Sequence, residues 1–210
     1  MKIVAVGMNY RKHLLELNNP EPSEPVIFCK PDSAIRMAPA SRGRGNQPFF
    51  LPDFSNEVHY ETELVLKISK LGKSIEAKYA HRYYEEVTVG LDLTARDVQS
   101  RLRKAGLPWE TSKGFDGSAV LGEFVSLESL GDVQNLDIRL DVNGKVAQLG
   151  NTSDMIFRVD KIIEYVSRFF TLKTGDLIYT GTPAGVGPLH AEDHLEAYLA
   201  GKKLLDLRVK

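Results

Sequence analysis

The stretch DIRLDVNGKVAQLG, residues 137 to 150, limits the fold more than any other in this chain. Two alternating apolar–polar runs flank Asn143-Gly144, the residue pair that tolerates positive φ at both centres of a type I′ turn. Such a tight turn joins antiparallel strands only. Further runs read as strands: Lys2–Val6, residues 58 to 68, EVTVGLDL (86 to 93), GDLIYTG (175 to 181), HLEAYL (194 to 199) and KLLDLRV (203 to 209). In EVTVGLDL, Val87, Val89 and Leu91 alternate with Thr88, Gly90 and Asp92, which predicts one polar face.

Helices are few and short. The pattern predicts one within NYRKHLLELN, one from Ser74 to about Tyr84, and one from Thr94 or Ala95 to Gly106, with Pro108 beyond it. A fourth would be capped by Thr152 or Ser153 and bury Ile156, Val159, Ile162, Ile163, Val166 and Phe170. Residues 39 to 53 read as loop. The class is therefore α+β, mostly β, without the regular alternation of a doubly wound parallel sheet. At 210 residues the chain fits a single domain, 1 to 210, with enough length for a substantial core.

A formal net charge of -1 gives no global field to attract nucleic acid or an anionic membrane. The loop arginines Arg42 and Arg44, and Arg96, Arg101, Arg103 and Lys104 on a helix, read as solvated surface. The single cysteine, Cys29, cannot form an internal disulfide, and it reads as a buried structural thiol in a reducing compartment. MKIVAVGMNYRKH turns polar too early for a signal segment, and no apolar run reaches membrane-spanning length; the expectation is cytoplasmic.

Three groups of residues carry possible chemistry. In HYETEL, Glu61 and Glu63 lie at i and i+2 of a strand and so share a face. Asp92 ends a second strand on its polar phase. Three carboxylates meeting at a divalent ion would relieve their mutual repulsion, and an all-oxygen donor set suits Mg²⁺ or Mn²⁺, with Ca²⁺ as a third candidate, for instance in a crystal. The competing view is a pair of solvent-facing glutamates. His13 and Glu16 share a helix face at i, i+3, where a carboxylate can fix an imidazole as a base, or both can be ordinary surface residues. GTPAGVG, 181 to 187, lacks the Lys-Ser/Thr of a phosphate loop but can offer backbone N–H groups to an anion, or be a tight turn. Lys113 in SKGFDGS reads as a surface lysine between turn residues.

Taken in order, GMNYRKHLLEL, PVIFCKPDSAI, HYETELVLKI, GLDLTARDVQ, GLPWETSKGFD, VNGKVAQLGNTSDMIF and GDLIYTGTPAGVG resemble the fumarylacetoacetate hydrolase family, specifically its short acylpyruvase-like branch. The resemblance runs from about residue 3 to residue 190. It implies a mixed β-sheet roll of the fumarylacetoacetate hydrolase C-terminal-domain type with short helices, and a homodimer. It places the metal ligands on Glu61, Glu63 and Asp92, and the catalytic residues on His13 and Glu16 of a mobile lid at about 9 to 24 and on Lys113. Thr182, Gly181, Arg96 and Gln99 fall on substrate-binding positions. One departure is DGSAVLG, where family members often carry an aromatic and a Cys-Pro pair.

The implied activity is that of a divalent-metal-dependent enzyme acting on small 2-keto acids through a metal-stabilised enolate. Hydrolytic C–C cleavage of acylpyruvates, of fumarylpyruvate or acetylpyruvate type, stands first. An oxaloacetate decarboxylase or keto–enol tautomerase on the same site is the alternative. Outside the enzyme class, a Ca²⁺-stabilised β-rich binding module would use the carboxylates but give His13, Glu16 and Lys113 no role.

Overall fold

A computed structural model describes residues 1–210. Its main sheet has eight strands, and seven of them run in the order Val26–Lys30, Ile3–Gly7, Leu177–Tyr179, Thr62–Ile68, Tyr84–Asp92, Ala119–Leu121 and Ile35–Met37. Val125–Ser126 pairs separately with Tyr84–Asp92. The sheet is mixed: Ile3–Gly7 is parallel to Leu177–Tyr179, and Ile35–Met37 is parallel to Ala119–Leu121, while the other pairs are antiparallel. A second sheet orders Lys145–Asn151, Asp137–Val142, His194–Leu199 and Lys202–Arg208, and a third joins Gly187–Pro188, Val58–Tyr60 and Thr94–Ala95.

The expected hairpin is present, with Asn143 at φ 52 and Gly144 at φ 75. The helix Arg96–Ala105 ends as expected on Gly106, at φ 66. Packing explains the rest. Leu64, Leu66 and Ile68 on one face of the main sheet join Ile138, Leu140, Leu195, Leu199 and Leu205 of the second sheet in one core. The opposite face buries Ile3, Ala5, Val65, Leu177 and Tyr179. Each such Leu or Ile side chain contributes about 1.5–3 kcal/mol by leaving water. A sheet covered on both faces reads as a continuous apolar run rather than an alternation, and TELVLKI is such a run.

That covering corrects several expectations. The polar phase of EVTVGLDL does not face solvent: Thr88, Gly90 and Asp92 are all buried. Residues 58 to 68 are not one strand. Glu61 interrupts them, leaving Val58–Tyr60 in the small sheet and Thr62–Ile68 in the main one. Within 74 to 84 the expected helix is reduced to a 3₁₀ segment, Ala77–Arg82, and Tyr84 already begins a strand. The fourth helix starts at Val159, later than expected, because Thr152–Asp154 makes its own 3₁₀ turn, capped by Asn151 accepting from the Ser153 N–H. Ile156 therefore lies before the helix. A 3₁₀ segment, Ala40–Gly45, breaks the predicted loop. Cys29 is half-buried on an edge strand rather than enclosed, and burial pushes its thiol pKa up, away from the reactive thiolate.

Candidate active site

The break at Glu61 is what builds the site. Where the chain leaves the small sheet for the main one, Glu61 turns inward beside Glu63, two residues on. The Asp92 N–H donates to the Glu61 carbonyl at 2.8 Å, which fixes the end of the neighbouring strand against the break. One carboxylate oxygen from each of Glu61, Glu63 and Asp92 then falls within 4.8 Å of the others, with all three residues buried.

Three cations surround these carboxylates. Lys113, which ends the short helix Glu110–Lys113, donates from Nζ to Glu61 Oε2 and Asp92 Oδ2, both at 2.7 Å. Arg96 closes on Glu61 Oε1 from the start of its helix and donates to Gln99 Oε1 at 2.7 Å. Lys30 Nζ stands 2.7 Å from Asp92 Oδ1 and also holds the Lys113 carbonyl and the Ser118 carbonyl and hydroxyl. The surface expectation for Lys113 and Arg96 is thus corrected: Lys113 is 3 % exposed, because its helix turns the ammonium toward the carboxylates.

The compensation is uneven. Burial pushes the Glu61 carboxyl pKa up, but Lys113, Arg96 and His13 outweigh it and hold the group well below the ordinary carboxylate range. Glu63 goes the other way. Burial, then Asp92 and Glu61, raise it well above the ordinary value, against the Gly181 N–H that donates to its Oε2 at 2.7 Å and the more distant Lys113. Buried Asp92 Oδ1 faces the Lys30 ammonium off the angle of a hydrogen bond and accepts none. An under-compensated carboxylate, and a buried carboxylate oxygen that meets a cation but accepts no hydrogen bond, in an all-oxygen donor set, fit a hard divalent cation such as Mg²⁺ or Mn²⁺.

The helix Arg11–Glu16 covers the site. His13 is buried, and its Nδ1 lies 3.1 Å from Glu16 Oε2. Glu16 accepts from the Gly185 N–H at 3.2 and 3.3 Å, tying the cover to the GTPAGVG loop. A cavity of about 40 Å³ remains beneath it, lined in part by His13, Glu61, Arg96, Gln99 and Lys113. That is far below the roughly 300 Å³ at which small-molecule pockets begin. A far larger concavity, about 930 Å³, is an open groove along Cys29, Phe54, Val98 and Phe115 and contains none of the three carboxylates. Of the expected substrate-binding residues, Arg96, Gln99 and Gly181 reach the carboxylate layer or its cavity. Thr182 is held beside it by Gln148, which donates to Thr182 Oγ1 and accepts from the Thr62 N–H, both at 2.9 Å.

Two residues escaped the sequence reading. Lys30 follows an apolar run that offers no sign of a buried charge, and Gln148 sits on the clearest hairpin, where its position looks like routine alternation. Only the pairing of distant segments places them here.

The chain matches the family described as "Fumarylacetoacetate (FAA) hydrolase C-terminal" over residues 2–210. It is 42 % identical to the oxaloacetate tautomerase YcgM of Escherichia coli (strain K12), covering 97 % of this chain and 90 % of that one. It is 40 % identical to the mitochondrial oxaloacetate decarboxylase of Dictyostelium discoideum, covering 95 % and 89 %. The crystal structure of fumarylpyruvate hydrolase from Pseudomonas aeruginosa, in complex with Mn²⁺ and pyruvate, superposes with a TM-score of 0.91 at 36 % identity, over 100 % of this chain and 89 % of that one. These relatives are enzymes. No helix here is long and apolar enough to cross a membrane. Family model, relatives and mixed-sheet fold agree, and the chain belongs to the fumarylacetoacetate hydrolase family.

Proposed function

We propose that this protein is a divalent-metal-dependent enzyme for small 2-oxo acids, with enolate chemistry on oxaloacetate, as tautomerase or decarboxylase, as its principal activity. The observation that carries this reading is the convergence of buried Glu61, Glu63 and Asp92, one of them left without a full counter-charge. The names of the relatives put oxaloacetate ahead of acylpyruvate hydrolysis, reversing the order drawn from the sequence.

Glu61, Glu63 and Asp92 would hold Mg²⁺ or Mn²⁺, which when bound supplies Lewis-acid stabilisation to developing negative charge on the substrate. Lys113, whose ammonium already lies among the carboxylates, adds a fixed positive charge where an enolate oxygen forms. Tautomerisation moves one proton between C3 and the C2 oxygen. Decarboxylation breaks the C3–C4 bond, releases CO₂, and leaves the electron pair as an enolate that takes a proton at C3. His13, with Nδ1 held by Glu16, is placed to carry that proton on Nε2. Arg96, Gln99, Gly181 and Thr182 orient the carboxylates and the substrate.

The cover, residues 9 to 24, acts as a lid in this scheme. A 2-oxo acid cannot enter so small a cavity unless the segment moves, and left-handed residues on either side of its helix Arg11–Glu16, Met8 (φ 60) and Asn18 (φ 52), mark where the backbone can turn. Hydrolysis of acylpyruvates is a second reading, favoured by the same His13–Glu16 pair, which could activate a water under the closed lid. A Ca²⁺-stabilised binding module does not explain why Lys113 is buried against two of the carboxylates. A single domain acting as a homodimer in a reducing cytoplasm completes the proposal; sedimentation velocity tests the dimer.

Loss of oxaloacetate enol absorbance with Mg²⁺ or Mn²⁺, followed by product analysis on oxaloacetate and acetylpyruvate, tests the reading. Pyruvate with CO₂ from oxaloacetate identifies decarboxylation. Enol loss without CO₂ identifies tautomerisation, and acetate with pyruvate from acetylpyruvate identifies hydrolysis. Activity that survives a chelator, or no turnover of either acid, would refute it.

A further inference from the structure

The cations around the cavity are matched by carboxylates, with one exception. Arg96 pairs with Glu61, Lys113 with Glu61 and Asp92, and Lys30 behind them with Asp92. Arg103 lines the same cavity, yet its contacts are an amide oxygen and an aromatic face. Its Nη2 donates to Asn19 Oδ1 at 2.8 Å, and its guanidinium stands 5.9 Å from the ring centroid of Trp109. Asn19 belongs to the lid segment, so Arg103 meets the cavity where the lid closes against the helix Arg96–Ala105.

Helix geometry sets its reach. Arg96, Gln99 and Arg103 fall at i, i+3 and i+7, one stripe along one face. Arg103 begins about 10 Å beyond Arg96 along the axis, and helical side chains lean back toward the N-terminus, which brings its guanidinium toward the carboxylates. Charge points the same way. Three carboxylates against Arg96, Lys113 and Lys30 cancel. A divalent ion would leave an excess positive charge of about two, to which Arg103 adds at the mouth. A substrate with a single carboxylate neutralises part of this; one with an anion at each end neutralises more, and a guanidinium suits a carboxylate through paired N–H donors.

We infer that Arg103 binds a second, distal carboxylate of the substrate, exchanging its Asn19 contact for it, and so selects 2-oxo acids that are anionic at both ends. This rests on the 2-oxo acid chemistry proposed above. The Trp109 face holds the guanidinium in place between the two partners.

The test is calorimetric titration of the Mg²⁺-loaded protein with two acids of similar size. One is 3-sulfopyruvate, which carries a distal anion but no carboxylate on C3 to leave as CO₂ by C3–C4 cleavage; the other is 2-oxobutanoate, with a methyl group there. Wild type should bind 3-sulfopyruvate about tenfold or more tighter, as a charge-assisted bond would give. R103Q should shrink that preference to less than about twofold, R103K should keep part of it, and N19A, which leaves the cation, should keep it. The inference is overturned if wild type shows no preference, if the preference survives R103Q, or if N19A removes it as fully as R103Q. Failure of wild type to bind either acid in a metal-dependent way would instead strike the 2-oxo acid reading itself. Emission from Trp109, the only tryptophan, should change with 3-sulfopyruvate and not with 2-oxobutanoate as the guanidinium moves.

Discussion

The protein builds the same acidic geometry twice. Glu61 and Glu63 stand two residues apart and meet Asp92 from the neighbouring strand; His194 and Glu196 stand two residues apart and meet Asp206 from theirs. In both sets the ligand-type atoms lie within 4.8 Å of each other. In the second set, on the hairpin of His194–Leu199 and Lys202–Arg208, His194 and Glu196 are part-exposed and Asp206 is buried, and it is answered from within: Lys203 reaches Glu196 at 2.8 Å and Asp206 at 3.3 Å, and His194 reaches Asp206 at 3.0 Å. Water screens what remains. The first set is sealed between the sheets and the helix Arg11–Glu16, and Glu63 there is left to a backbone N–H and the pull of Lys113. Spacing brings carboxylates together, and burial with incomplete compensation makes a site of them.

The largest contrast should be in turnover. Replacing Glu63 with Gln should lower metal-dependent oxaloacetate turnover by about a thousandfold, equivalent to about 4 kcal/mol of transition-state stabilisation. Glu196→Gln should change it less than about twofold. Steady-state rates for the two variants check this, and equal losses would erase the distinction.

Stability should divide the two lysines. Lys113→Met leaves two buried carboxylates short of a partner and should cost about 3–5 kcal/mol in the metal-free protein. Lys203→Met, in the screened network, should cost less than about 1 kcal/mol. Urea unfolding of the two variants under identical conditions makes the comparison.

A third difference lies in pH dependence. Glu63 has a folded pKa above its unfolded value, so the folded metal-free state holds its proton more tightly. That group's contribution to stability therefore falls as pH rises from the ordinary carboxylate value toward the raised one. Metal binding must displace the proton, so Mn²⁺ affinity should climb with pH over the same window and flatten in Glu63→Gln. A pH-independent affinity in the wild type would show that Glu63 is no ligand.

The smallest effect concerns two loops. Gly181 sits at φ +100, and a Cβ there would lie 2.6 Å from Asn9 Cβ, a residue whose side chain holds the Phe157 and Thr180 carbonyls. Gly181→Ala should cost about 1–3 kcal/mol and disturb the N–H that faces Glu63. Gly201, in the outer hairpin at φ +77 with open space around it, should cost about 1 kcal/mol as Ala and leave turnover intact.

How much of this was legible in the sequence follows the same division. The hairpin at Asn143-Gly144 and the helix stop at Gly106 depend on local φ preferences, and local sequence states them. Glu61, Glu63 and Asp92 stood out because charges sat on the phase of otherwise apolar strands, and the family resemblance named them together. What local pattern could not show was the strand break at Glu61, since it arises from two sheets competing for one segment. Lys30, Gln148 and the burial of Lys113 were hidden for a related reason: a buried lysine is intelligible only once the distant carboxylate it meets is known.

The central claim is that Glu61, Glu63 and Asp92, and not His194, Glu196 and Asp206, hold the divalent ion. Anomalous diffraction from a crystal of the protein soaked in Mn²⁺ tests it most directly. The account predicts one strong peak within about 2.0–2.6 Å of oxygens from Glu61, Glu63 and Asp92. No peak there, or a peak at His194, Glu196 and Asp206 instead, would contradict it.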